Sequence, residues 1–174
     1  MFFGGIMNFL SERNIELHKS YLNDLTLKYS IFEKSYSELK SASLSAISKV
    51  RIKREEREAA YMLKAEIMAH KIFFSSFQIE NLRSPILCCQ FGSEAQFMYE
   101  MSNACQRCEG GFLLIYREGD KIRSFCGREY QKIMETKNPA LCLDLCEHAY
   151  FYDYGFDKKS YILNALRNFD YSKL

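Results

Sequence analysis

The sequence predicts an α+β fold: an N-terminal α-helical hairpin followed by a C-terminal α/β lobe with a three-stranded antiparallel sheet. Three observations predict it. No Gly or Pro occurs between Ile6 and Ser84, whereas the rest of the chain carries Pro85, Pro139 and six glycines. The breaker-free part holds two apolar stripes at helical spacing. The later part holds an apolar run, a Glu118-Gly119-Asp120 turn and an alternating partner run. The change of character divides the chain into an N-terminal helical domain, residues 1–84, and a C-terminal α+β domain, residues 85–174.

Ser11, followed by Asn14 and Glu16, is a helix N-terminus. The stripe behind it runs Ile15, His18, Leu22, Leu25, Tyr29 and Phe32, stepping by three and four. A second stripe runs Leu63, Ile67, His70, Phe74 and Phe77 with the same steps. The charged segment Lys49–Arg57 lies between them and lets the two helices turn back on each other. Each stripe carries one histidine, so both imidazoles point into the shared interface. Beyond Pro85, a helix from Glu94 to Cys108 stops at Gly110-Gly111. Phe112–Tyr116 is the first strand, Lys121–Cys126 its hairpin partner and Ala140–Asp144 the third strand. The remainder reads as one or two terminal helices.

The 174 residues are 48% hydrophobic and 26% charged, which excludes disordered and low-complexity classes. A net charge of +2 gives no overall field of the kind that marks nucleic-acid or membrane-surface binders. The apolar runs are shorter than the ~18 residues that span a bilayer, and Met1–Met7 has no basic region ahead of it, so no membrane association is expected and a cytoplasmic location is. Seven cysteines, an odd number in a chain long enough to fold without staples, fit a reducing compartment. Cys105 and Cys108 have the spacing of half a zinc site, with Cys88 and Cys89 as conceivable partners; buried free thiols are the simpler reading.

The chemistry lies in the histidines. The chain has three: His18, His70 and His148, the last four residues after Asp144. A buried imidazole is costly unless its nitrogens find partners, and a metal would provide one for each. Taken singly, each reads as a satisfied core histidine. Together they form a three-imidazole, one-carboxylate set that suits Fe, Mn or Zn.

The segment ALCLDLCEHAYFYDYGFDKKSYILNALRNFDYSKL, from Ala140 onward, resembles the C-terminal signature of the iron/manganese superoxide dismutases, keeping Asp144, Glu147, His148, Ala149, Tyr150, Asp153 and Tyr154. Upstream, SERNIELH ending at His18 is similar to that family's first ligand segment. AHKIFFSSF around His70 resembles the second, and GGFLLIYREGDKI its sheet hairpin. The resemblance implies a helical hairpin plus α+β fold and one Fe or Mn per chain held by His18, His70, Asp144 and His148. It also implies that the metal alternates between +3 and +2 states while superoxide becomes oxygen and peroxide. Glu147 would reach across a dimer interface, which implies a homodimer or a dismutase-like heterodimer.

The surroundings of this set depart from the family pattern in a coordinated way. Thr26 stands where the family has its gateway Tyr, Leu22 at its gateway His, and Phe151 replaces the Tyr that bonds that His across the dimer. Phe112, Cys146 and Phe74 stand in for tryptophans. Glu66, one turn before His70, takes the place of the Gln of iron-type members, and Gln131 lies near that of manganese-type members. The expected activity is superoxide dismutation with antioxidant consequence. The alternative is a catalytically weak or inactive structural subunit, such as the dismutase-like subunits of mitochondrial small ribosomal subunits. Under that alternative the location is mitochondrial, and the basic run Lys49–Arg54 meets nucleic acid.

Overall fold

The structure, a computed structural model, describes residues 7–78 and 84–174. Met1–Ile6, on which the expectation of a cytoplasmic location partly rests, lie outside the described residues. Helix α1, Glu12–Ser35, begins as its sequence requires: the Ser11 hydroxyl accepts from the Asn14 backbone N–H at 3.2 Å. A turn at Ser37–Leu39 and the short α2, Leu44–Ile47, lead to α3, Arg54–Ser75. Within the basic run, Val50 and Ile52 pack inward on a small core of Leu25, Tyr29, Leu39, Ile47, Ala60 and Ile67. Arg54 opens α3 and pairs with Glu58 one turn on at 2.7 Å. The run is therefore an anchored connector that ends as a helix start.

The second part contains two short helices that the sequence reading passed over. Pro85 at the first turn begins α4, Pro85–Phe91, and Gly92 at φ +80° ends it. The Ser93 hydroxyl then caps α5, Glu94–Gln106, which stops two residues short of the expected Cys108. Strands β1, Phe112–Glu118, and β2, Lys121–Gly127, are joined through Gly119 at φ +59°. After α6, Gln131–Thr136, strand β3, Leu141–Asp144, pairs with the other edge of β1. The sheet order is β2-β1-β3, antiparallel throughout, as expected. Helices α7, Glu147–Tyr154, and α8, Lys158–Arg167, complete the lobe.

One hydrophobic core joins the two parts. Phe73, Phe74 and Phe77 of α3 belong to the same buried cluster as Leu113, Leu114, Leu143 and Ile162. Each such side chain contributes about 1.5–3 kcal/mol on leaving water. The register β1–β3 sets Asp144 opposite Phe112, and packing of α3 on β3 brings His70 to that strand end. Helix α1 is tied to α7 by Asn14, whose amide donates to the Ala149 carbonyl at 3.1 Å and to Asp153 at 3.0 Å. These ties carry His18 to the same point.

Candidate metal centre

Four side chains from four elements meet at the seam of the two parts. Asp144 ends β3, and its position is set on both sides. The buried Tyr161 hydroxyl donates to its carbonyl at 2.7 Å, and the Cys146 backbone N–H donates to Oδ1 at 2.8 Å. Oδ2 is left facing His148 Nε2 at 2.9 Å, His18 Nε2 at 3.2 Å and His70 Nε2 at 3.2 Å. The four donor atoms all lie within 4.8 Å of one another, and no second group of this kind occurs among the described residues. His18, His70 and Asp144 are buried, while His148 is the member that reaches solvent.

The hydrogen bonding of these rings is incomplete in a way that fits a cation. The Glu66 carbonyl lies 2.8 Å from His70 Nδ1. A carbonyl only accepts, so Nδ1 carries the proton and the Nε2 lone pair points at the cluster. His70 Nε2 and both nitrogens of His18 have no hydrogen-bond partner although fully buried. Such orphaned atoms cost a few kcal/mol each in a dry site, and a shared metal ion relieves the two Nε2 atoms at once. The residues present therefore fit an ion bound by three imidazoles and one carboxylate.

The electrostatics agree. Burial alone would raise the Asp144 carboxyl, but the hydrogen bond from His148 and the close approach of His18 and His70 overcome it and hold the group well below the usual carboxylate range. Burial lowers His18, since the charged imidazolium is penalised there. At His70 burial acts the same way, yet the nearby Asp144 carboxylate and the Glu66 carbonyl on Nδ1 outweigh it and the net shift is upward. The site holds its carboxylate ionised at neutral pH, the form a metal requires.

Around the four, Phe112 packs edge-on against the His70 ring at 5.3 Å, and Phe73 and Phe74 flank His18 at 4.6 and 5.2 Å. A cleft of about 610 Å³ opens from His148 to solvent, lined among others by Glu66, Gln131, Cys146 and Glu147. Gln131 is nearly buried there and donates to the Arg128 carbonyl at 3.3 Å. Cys146 accepts from the Gly111 N–H at 3.3 Å, and burial pushes its thiol up to about 12. Phe151 lies exposed on α7 beside the fully open Phe156.

Thr26 does not come to the site. It is exposed on α1, its hydroxyl turned back to the Leu22 carbonyl at 2.8 Å, and Leu22 is packed between the two cores. The aromatic that covers the histidines is Tyr21. Its ring lies 4.3 Å from that of His148 and 5.4 Å from that of His70, and its hydroxyl donates to Glu66 Oε1 at 2.7 Å. Burial first, then the hydrogen bond to Glu66, raises its phenol. Tyr130, buried at 4.7 Å from Phe112, also faces the cleft. The sequence reading missed both, although Tyr21 lies three residues beyond His18 and so on the same helical face.

All seven thiols are free, the simpler of the two readings of the cysteines, and Cys88 and Cys89, the conceivable partners of Cys105 and Cys108, are exposed on α4. No helix among the described residues is long and apolar enough to cross a membrane. The family model described as iron/manganese superoxide dismutases, C-terminal domain, matches residues 80–174, more than half of the chain. No curated protein matches it.

Proposed function

The chain belongs to the iron/manganese superoxide dismutase family, and from that premise we propose that it holds one Fe or Mn ion and converts superoxide to oxygen and hydrogen peroxide. The observation that carries the proposal is the convergence of His18, His70, Asp144 and His148 on one point, with three buried ring nitrogens lacking any other partner. These four side chains are the metal ligands. The ion supplies a one-electron couple between its +3 and +2 states.

The chain's own residues do the rest. Phe73, Phe74 and Phe112 exclude water from the buried side of the histidines, leaving the His148 side as the approach. Tyr21 and Glu66 form a short hydrogen-bonded pair on that side, able to hold a proton at the phenol oxygen or to accept one at the carboxylate. Glu66, Glu109 and Glu147 line the cleft against a single guanidinium, Arg128, so the local field does little to attract a small anion. The reaction is therefore slower than an electropositive funnel would permit. That same field supports the alternative, a dismutase-like structural subunit with weak activity or none.

The exposed Glu147 and Phe151, on the helix that carries His148, support a dimer of like or dismutase-like chains across this face. The division into domains 1–84 and 85–174 is retained as an organisational proposal, and the free thiols support a reducing, cytoplasmic setting. Metal analysis of the purified protein, together with a superoxide dismutation assay on the loaded form, tests the whole reading. About one Fe or Mn per chain with activity is expected. A metal-loaded protein without activity would favour the structural subunit.

A further inference from the structure

Outside the metal centre, three cysteine sulfurs meet where the end of α5 abuts β2. Cys108 Sγ lies 2.7 Å from Cys126 Sγ, which in turn lies 3.9 Å from Cys105 Sγ. Two sulfurs sharing one tetrahedral zinc stand about 3.8 Å apart, given a Zn–S distance of about 2.3 Å, so the close pair does not fit metal ligation. Nor do the three sulfurs form a donor group of metal-holding size among the described residues. Lys158 Nζ donates to the Cys108 carbonyl at 2.7 Å, and its charge favours the thiolate form of both Cys108 and Cys126 while opposing a bound cation.

We propose that Cys108 and Cys126 are a reversible oxidation site that closes to a disulfide with a peroxide as oxidant. One thiolate attacks a peroxide oxygen: an S–O bond forms, the O–O bond breaks, and the leaving hydroxide takes a proton to become water. The second thiolate then attacks the sulfenic sulfur, the S–S bond forms, and the sulfenic oxygen leaves as a second water. For hydrogen peroxide, two thiols and one peroxide give one disulfide and two waters. Any peroxide serves, so the proposal does not depend on dismutation.

The disulfide has a structural consequence at the cleft. Cys108 directly precedes Glu109–Gly111 and Cys126 directly precedes Gly127-Arg128, and Arg128 already donates to the Glu109 carbonyl at 3.1 Å. Closing the bond ties together two segments of the cleft wall. Burial pushes the Cys108 thiol up to about 12, so little thiolate is present and oxidation is slow at neutral pH.

The test uses the full chain carrying Cys88→Ser and Cys89→Ser, reduced, then held with excess hydrogen peroxide, alkylated and cut with trypsin without reductant. Cleavage after Arg107, Arg117, Arg123 and Arg128 leaves Cys105, Cys108 and Cys126 on separate peptides. The expected product joins peptide 108–117 to peptide 124–128, with a mass about 2 Da below the sum and full reversal by dithiothreitol. Cys105 should remain alkylated. Three alkylated thiols after oxidation, or a dominant Cys105–Cys126 linkage, would overturn the proposal. So would stoichiometric zinc that protects all three thiols in a His70→Ala background.

Discussion

Tyr21 bridges the two long helices to Glu66, its hydroxyl donating to the carboxylate at 2.7 Å while its ring covers His148 at 4.3 Å. The pair sets a fixed negative charge beside the histidine cluster and gives it a donor. Negative charge near a redox metal stabilises the oxidised state, and in a poorly solvated site even a screened charge is worth on the order of a few kcal/mol. Glu66→Gln should therefore raise both the potential of the loaded protein and its dismutation rate, the rate by on the order of tenfold. Redox titration and a dismutation assay check it. An unchanged potential means that the Glu66 charge is not felt at the metal.

Tyr21→Phe separates the roles of ring and hydroxyl. The ring contact with His148 and the metal content should be retained, while the Glu66 carboxylate loses its donor. A hydrogen bond to a charged group contributes about 1.5–3 kcal/mol, and this partly solvated one should lie at or below the lower end. Denaturant unfolding of the variant, compared with the double variant carrying Glu66→Gln as well, measures the coupling. Additive effects of the two changes would show that the pair does not act as a unit.

Why was Tyr21 overlooked when the four convergent residues were legible? His18 and His70 announced themselves by breaking otherwise apolar stripes, and Asp144 and His148 by their spacing and their setting in a specific C-terminal pattern. Thr26 was placed by counting from His18, but eight residues is a little over two turns, and the helix carries that position to solvent. Helices α4 and α6, of seven and six residues, are too short to develop a periodic stripe. The sulfur pair was missed because Cys126 meets Cys108 only through tertiary packing of β2 against the end of α5. A CxxC spacing carries no information about a third cysteine on a strand.

Removal of one ligand should empty the site without unfolding the hairpin. His70→Ala takes away one of the two Nε2 atoms that lack any partner and leaves the Phe73 and Phe74 packing in place. Metal content should fall from about one per chain to near zero, with the helical circular dichroism largely kept. A metal that binds only the folded state stabilises by about 2.7 kcal/mol at a concentration of one hundred times Kd. Added Fe or Mn should accordingly raise the melting temperature of the parent chain and leave that of the variant where it was. Equal shifts in both would place the metal elsewhere.

The exposed aromatics at the end of α7 and just beyond it predict self-association. Phe156 is 94% exposed and Phe151 47%, and the two rings touch edge to face at 5.3 Å. Burying a Phe is worth about 1.5–3 kcal/mol, and a two-fold interface counts each substitution twice. Phe156→Ser should thus weaken a dimer by roughly a hundredfold to ten-thousandfold. Sedimentation velocity at micromolar concentration reads the change directly; a parent chain that is strictly monomeric there removes the interface from consideration.

Gly111 shapes the cleft wall through its backbone. It sits at φ +81°, and a Cβ there would come within 2.1 Å of the Gly127 carbonyl oxygen. Gly111→Ala must therefore push β1 and β2 apart at the end where Phe112 meets Asp144. The strain of the positive φ alone is of order 1–3 kcal/mol, and the clash adds to it. Urea unfolding should show a loss of at least that size. A neutral Gly111→Ala would mean that the strand ends are free to relax.

The last prediction concerns acid. Asp144 is held well below its ordinary value of 3.8 because His148 bonds its carboxylate and His18 and His70 stand close to it, outweighing the burial that would raise it. A depressed carboxyl contributes stability that is present above the unfolded value and is lost as the pH falls through the folded one. In metal-free protein the stability difference between the parent and Asp144→Asn should grow from about pH 7 to 5, as His70, which Asp144 raises, takes up its proton, and then shrink as the pH drops below about 4. His18 works in the same direction, since burial lowers it and acid forces a proton onto it. Metal competes with those protons for the same ring nitrogens and carboxylate oxygen, so affinity should also fall on acidification and the loaded protein should release its ion before it unfolds. Urea midpoints and metal retention measured across this pH range test both steps. A stability difference that stays constant into acid would show that Asp144 is not held ionised by the histidines, and the cluster would then be a neutral hydrogen-bonded core and no metal centre.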